Sequence, residues 1–104
     1  MPAVCDLVLP CRDEGPALRA LLPTVPDTFT VIVVDNGSTD ETAAVARSLG
    51  ARVVAEARPG YGAAVQAGVT AATADLVAVM DGDGSFAAAP QDTARPAAVP
   101  RLAA

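Results

Sequence analysis

Apolar residues come in short runs along this chain, and each run stops at a cluster of polar or turn-forming residues. Val4 to Leu9 is the first, with Asp6 as its one polar interruption and Pro10 as its stop. Its length and flanks predict a buried strand. Gly15 to Leu22 has helical spacing at Leu18, Leu21 and Leu22; Pro16 suits a first helical turn, and Pro23 and Pro26 end it. Thr30 to Val34 is β-branched throughout and predicts the strongest strand, ending at Asp35. Ser38 to Leu49 predicts a helix with Ala43, Val45, Ala46 and Leu49 apolar and Gly50 as its stop. Arg52 to Ala55 reads as a short strand. Gly62 to Ala72 reads as a helix with Ala64, Val65, Gly68 and Val69 on one face, and Leu76 to Met80 as a strand running into Asp81.

Strands alternating with helices imply right-handed crossovers and a parallel sheet. Continuously apolar strands imply that both faces of the sheet are covered, which makes a three-layer α/β unit. The expected strand order is 3-2-1-4, because ligands of open parallel sheets bind beyond the strands' carboxyl ends, at the switch point between the first and last strands. That edge carries Pro10 to Glu14, Asp35 to Ser38 and Asp81 to Ser85. Residues 1–86 form the expected domain. Residues 87–104 hold 8 Ala and 3 Pro among 18 positions and predict neither a strand nor a well-formed helix, but a poorly ordered or weakly helical tail.

Composition narrows the function. The chain has 104 residues, 52% of them hydrophobic, with 24 Ala and 14 Val, too apolar for a disordered chain. Aromatics are 3% and the net charge is −5, which argues against base-stacking platforms and phosphate-backbone binding, and so against a nucleic-acid partner. Histidine is absent, which excludes a Ser-His-Asp triad. Cys5 and Cys11, separated by an extended strand, lie roughly 20 Å apart, beyond disulfide reach. Without His or a C-x-x-C they suggest two reduced thiols and a cytoplasmic setting rather than a zinc site. No run approaches the ~20 apolar residues of a membrane span.

Four segments carry candidate chemistry. Asp35 ends a central strand, where burying a carboxylate is costly unless something binds it. Behind it, Gly37 permits a tight turn, and Ser38 with Glu41 has capping-box spacing. Asp81-Gly82-Asp83 follows a strand directly. Two carboxylates around one glycine can reach a hard divalent cation, Mg²⁺ or Mn²⁺, and Gly82 lets backbone approach a ligand; a plain turn is the other reading. Arg12 and Glu14 belong either to the ligand edge or to an exposed charged turn. Gly60-Tyr61-Gly62 opens a helix and partly matches a dinucleotide fingerprint. Val65 holds the third glycine position, and Glu56–Pro59 separates the glycines from the strand, so what remains is a loop with backbone amides, Gly62 among them, near an anion.

Taken in order, Leu9-Pro10-Cys11-Arg12-Asp13-Glu14, Val34 to Thr42, Gly50 to Val54, Gly60 to Ala64 and Met80 to Ser85 resemble the N-terminal half of a family 2 inverting glycosyltransferase of the GT-A fold. The version is most similar to polyprenyl-phosphate sugar synthases of the dolichol-phosphate mannosyltransferase type. The resemblance covers roughly residues 4–86. It implies a Rossmann-like half-domain that binds a nucleotide-diphospho-sugar for transfer to an acceptor such as a polyprenyl phosphate, in the cytoplasm or at the inner membrane face. It places Pro10, Arg12, Glu14, Asp35 and Asn36 by the nucleotide, with Gly62 and Gly82 at the same ligand. Asp81 and Asp83 match the family's D-x-D and would hold the metal on the diphosphate. Arg12, Asp13 and Asn36 depart from residues frequent in the family, so the base stays open. The match stops near Phe86, before the acceptor half and its catalytic base. The expectation is therefore an incomplete transferase, completed by a partner chain or self-associating through an open sheet edge. The alternatives are a non-catalytic nucleotide-binding module and an inactive remnant.

Overall fold

The computed structural model describes residues 5–80 and the backbone of residues 97–100. Four strands run parallel: β1 (Cys5–Cys11), β2 (Phe29–Asp35), β3 (Arg52–Ala55) and β4 (Leu76–Val79). Between them lie α1 (Gly15–Leu21) with a 3₁₀ turn at Leu22–Thr24, α2 (Thr42–Ser48) and α3 (Tyr61–Ala71). The sheet order β3-β2-β1-β4 is the order expected from the sequence.

The period-2 alternation of β1 divides the core between two faces. Cys5, Leu7, Leu9 and Cys11 pack with Leu18 of α1 and with Val45 and Ala46 of α2. Val8 points the other way, into a cluster with Ile32, Val34, Ala64 and Ala72, against α3. Both faces are thus covered, which is why the strands are almost continuously apolar. Both cysteines are buried and free. Burial pushes the Cys5 thiol above its ordinary pKa.

Three local expectations are corrected. Pro10 does not stop β1, which continues to Cys11 in register with Asp35. The β4 ladder ends at Val8↔Val79, with the Met80 amide donating to the Val8 carbonyl. Pro10 lies beyond the last pair of the β1–β4 ladder, so its missing N–H removes no bond from that ladder. The second helix begins at Thr42, four residues after Ser38, for reasons set out with the loop below. Finally, β5 (Ala97–Pro100) pairs antiparallel with β4, Leu76 opposite Pro100. The expected tail had no strand. Its pairing comes from the outer edge of β4, which the four-strand order leaves open, and its Pro100 sits at the end of an edge strand, where proline is tolerated. The expected boundary at residue 86 lies outside the described residues.

Candidate functional site

The carboxyl ends of β1 and β2 leave the sheet side by side, and the loops after them are bonded to each other. Asp13, in the left-handed region at φ 55°, directs its Oδ1 at the second loop. There it accepts the amides of Thr39 at 2.7 Å and Asp40 at 3.1 Å, and the Thr39 hydroxyl at 3.3 Å. In return the Asp13 amide donates to Ser38 Oγ at 2.9 Å, the Glu14 amide to Thr42 Oγ1 at 3.0 Å, and the Gly15 amide to Asp40 Oδ2 at 3.3 Å. Six hydrogen bonds between residues 13–15 and 38–42 therefore tie the two loops together across the top of the sheet.

This network explains the late start of α2. The Ser38 oxygen that a capping box would direct at its own helix is taken by Asp13, and Glu41, at the N-cap, makes no side-chain cap. Asp40 does the capping instead, accepting the Thr42 amide on Oδ1 at 2.8 Å, with the Thr42 hydroxyl on the same oxygen. That hydroxyl first, and then the amides of Thr42 and Gly15, hold the Asp40 carboxyl below the usual aspartate range.

Asp35 closes β2, half-buried, and its Oδ1 accepts the Ser38 amide at 3.0 Å. Asn36 follows it and turns toward the segment after β3. Its Nδ2 donates to the carbonyls of Glu56 at 2.9 Å and Arg58 at 2.8 Å. Glu56 also pairs with Arg58, 3.1 Å between Oε1 and the guanidinium, a contact that lowers the Glu56 pKa and raises that of Arg58. The segment then reaches Gly60, whose φ of 110° is open to glycine and strained for other residues, and α3 begins at Tyr61.

Between these parts lies a cavity of about 260 Å³ lined by Pro10, Cys11, Arg12, Asn36, Gly60, Tyr61 and Ala64. Of the residues expected at a nucleotide, Pro10, Arg12 and Asn36 line it. Asp35 stands next to Asn36 at the same edge. Glu14 is placed in the interlocked loops at the start of α1 and is not a lining residue. Gly62 lies in the first turn of α3 with open space around it, also outside the lining. Asp81, Gly82 and Asp83 lie outside the described residues, although Met80, bonded to Val8, brings the chain to this edge. Among the described residues no three His, Cys, Asp or Glu side chains converge on a metal position.

Four lining residues are not among those expected from the sequence: Cys11, Gly60, Tyr61 and Ala64. Cys11 carries no outward signal, being one more apolar position of β1. Tyr61 had one: it is the single tyrosine of a chain poor in aromatics, it opens a helix between two glycines, and it is 48% exposed.

A cavity at the carboxyl edge of a 3-2-1-4 parallel sheet is where such folds hold ligands. Residues 6–89 match the family described as glycosyl transferase family 2. The chain belongs to that family. It is 56% identical over 80 residues to an uncharacterized glycosyltransferase of Mycobacterium tuberculosis, covering 77% of this chain and 37% of the relative. The family 2 chain thus spans little more than a third of that relative's length. Among solved structures it is similar to glucosyl-3-phosphoglycerate synthase from M. tuberculosis in complex with Mn²⁺, UDP and glucosyl-3-phosphoglycerate. That likeness has a TM-score of 0.68 and 29% identity, covering 80% of this chain and 36% of the other. A mannosyltransferase from Pyrobaculum calidifontis in complex with GDP-mannose and Mn²⁺ gives a TM-score of 0.69 at 25% identity, covering 85% of this chain and 30% of the other.

Proposed function

We propose that this chain forms the donor site of a family 2 glycosyltransferase, binding a nucleotide-diphospho-sugar together with Mg²⁺ or Mn²⁺. The observation that carries the reading is the cavity built by the ends of β1 and β2 and the start of α3. Similar structures hold UDP with Mn²⁺ or Mg²⁺, or GDP-mannose with Mn²⁺.

In this reading Pro10, Arg12 and Asn36 border the nucleotide and Asp35 lies beside it. Glu14 supports the loop that carries Arg12, and Gly62 offers its amide at the first turn of α3. Asp81 and Asp83 are the metal ligands, with Gly82 between them. Hard carboxylate oxygens are the donors that Mg²⁺ and Mn²⁺ prefer. When bound, such a cation neutralises charge developing on the leaving diphosphate. Arg12 adds a fixed positive charge at the cavity rim.

Transfer also requires an acceptor aligned for attack. A polyprenyl phosphate remains our proposed acceptor, reached from the cytoplasmic side or the inner membrane face. No helix among the described residues is long and apolar enough to cross a membrane. A partner chain or a second copy would meet this domain along an edge strand of its sheet.

Thermal unfolding with ligands tests the donor site, since a ligand that binds only the folded state raises its stability. Millimolar Mn²⁺ with UDP or GDP should raise the midpoint of the wild-type chain. Asp83→Ala should abolish that rise and leave the ligand-free midpoint in place. A wild-type midpoint indifferent to both nucleotides would remove the proposal.

A further inference from the structure

Strand β3 ends the sheet on the β2 side, and among the described residues its outer edge is open. The Glu56 amide donates to the Asp35 carbonyl, and the register sets Val53 beside Val33 and Ala55 beside Asp35. Backbone groups alternate along a parallel strand, so Val54 and Glu56 face β2, while Val53 and Ala55 turn their amides and carbonyls outward. Among the described residues no loop or turn backbone bond reaches these outward groups. Side chains alternate as well: Val53 packs on the α1 and α2 face and Val54 on the α3 face. Arg52 and Glu56 share the face of Val54. There Val54 and Glu56 border a groove of about 440 Å³, with Gln66, Ala67 and Thr70 of α3 on its other side.

We propose that this edge pairs with the same edge of a second copy of the chain, antiparallel about a two-fold axis through Val54. The proposal rests on the self-association put forward above, names its edge and register, and does not depend on the donor site. In an antiparallel ladder, outward groups of one copy must meet outward groups of the other. With Val53 opposite Ala55 of the other copy, symmetry supplies the reverse pair, and every outward group is used. Val54 then faces its own counterpart, and Arg52 stands opposite Glu56 of the other copy, once on each side of the axis. Opposite charges directly across two strands favour their pairing. Among the described residues Arg52 has no carboxylate partner, and its Nη1 donates to the Ala71 carbonyl at 3.2 Å. Glu56 accepts three bonds from Arg58. A carboxylate offers about four such sites, so one is left for the incoming guanidinium.

The neighbouring registers fail on these same residues. An axis through Val53 sets Ala51 opposite Ala55, but the Ala51 amide is already given to the Ala46 carbonyl, and Arg52 loses Glu56. An axis through Ala55 sets Arg52 opposite Arg58, a like-charge pair that opposes association. At the other end of the sheet, β5 closes on Pro100, which has no N–H to give. Pairing along β3 joins two five-stranded sheets into one and brings the two grooves beside α3 together across the axis. An edge of four residues falls short of a standard interface, so the dimer is reversible and concentration-dependent.

The test uses the full chain, with urea midpoints to show that each variant is folded. Sedimentation velocity at rising concentration should show monomer giving way to dimer. Arg52→Glu and Glu56→Arg each set like charges opposite one another and should abolish the dimer; the two exchanges together restore the pair and should restore it. Ala55→Pro removes an outward amide without touching the ladder to β2, and should also leave monomer. Cysteine variants read the register without relying on charge. In Val54→Cys the two thiols meet at the axis, and oxidation should link the copies. In Ala55→Cys they lie two residues out of step, beyond disulfide reach, and should stay unlinked. The native Cys5 and Cys11 are buried and do not compete. A wild type that is monomeric at every concentration, a dimer indifferent to Arg52→Glu, or linking in Ala55→Cys as strong as in Val54→Cys overturns the proposal. The donor site is read separately, by the midpoint shift with Mn²⁺ and UDP in the monomeric Arg52→Glu chain. Loss of that shift in a wild type that still dimerises removes the donor site and leaves the paired edge in place.

Discussion

Asp13 and Thr39, 26 residues apart in sequence, are joined by a 2.7 Å hydrogen bond from the Thr39 amide to Asp13 Oδ1. One carboxylate oxygen thereby organises the loop after β2 from the loop after β1. The same residue sits at φ 55°, a conformation that Asn and Asp accept more readily than most residues.

Asp13→Ala should therefore destabilise the domain by about 1–2 kcal/mol, from lost charge-assisted hydrogen bonds and a strained left-handed alanine. Asp13→Asn keeps an acceptor and the backbone preference, and should lose less than half as much. Urea unfolding of the two variants checks the ranking. Equal stability of Asp13→Ala and wild type would show that the loops hold without this contact.

How much of this was legible follows the range of the interactions. The four parallel strands and their order could be read from Val8, Ile32, Val34 and Val77, because continuous apolar runs between helical segments leave few topologies open. The start of α2 could not. Ser38 and Glu41 have the spacing of a cap, and what displaces it is Asp13, whose proximity exists only after β1 and β2 pair. Strand β5 was hidden for the same reason: Ala97–Pro100 has little strand character of its own and pairs because β4 has a free edge. Arg12 and Asn36 line the cavity because their chain positions put them at the sheet's carboxyl edge. Tyr61 was passed over because only the glycines around it were weighed.

Acid should loosen the interlocked loops. The folded-state pKa of Asp40 is depressed by the Thr42 hydroxyl and by backbone amides. A depressed carboxylate contributes stability that is fully present above its unfolded value, about 3.9 for aspartate, and is lost as pH falls through the lower folded value. Glu56, depressed by Arg58, acts with the same sign. Urea midpoints of wild type should fall steadily below about pH 4, and Asp40→Asn should flatten that limb while lowering the plateau at neutral pH. A limb as steep in Asp40→Asn as in wild type would assign the acid sensitivity elsewhere.

A second carboxylate holds the opposite end of the fold. Asp6 is 2% exposed, and its Oδ2 accepts the amides of Thr73 at 2.6 Å and Ala74 at 2.9 Å, in the turn between α3 and β4. This is why the one polar residue in the first apolar run is tolerated. Asp6→Ala leaves two amides without their acceptor and should cost about 2–3 kcal/mol; Asp6→Asn keeps a neutral acceptor and should fall between. Hydrogen exchange at Thr73 and Ala74 locates the effect. Protection at these amides that survives Asp6→Ala would show that the turn is closed by something other than this side chain.

The packing of α3 links the core to the cavity. Ala64, Gly68 and Ala72 recur every four residues on the face that meets the sheet, and the middle one is where the helix comes closest. A Cβ on Gly68 would collide with Val8 Cγ1 and lie 3.0 Å from Val34 Cγ2. Both valines are fully buried in central strands, and β-branched side chains have little rotamer freedom with which to yield. Gly68→Ala gains helix propensity, worth up to about 1 kcal/mol, but over-packing a tight core costs about 1–3 kcal/mol, and the clash is with stiff groups on two strands. We expect a net loss of about 1–2 kcal/mol in urea unfolding. The helix must also lift or tilt to make room, and its first residue is Tyr61. UDP affinity should therefore drop in Gly68→Ala although the substitution lies well inside the helix and away from the cavity lining. Thr70→Ala, at an exposed position on the same helix, should change neither quantity by much. A Gly68→Ala chain as stable as wild type, with UDP affinity intact, would mean that α3 can shift without disturbing either the core or the cavity wall.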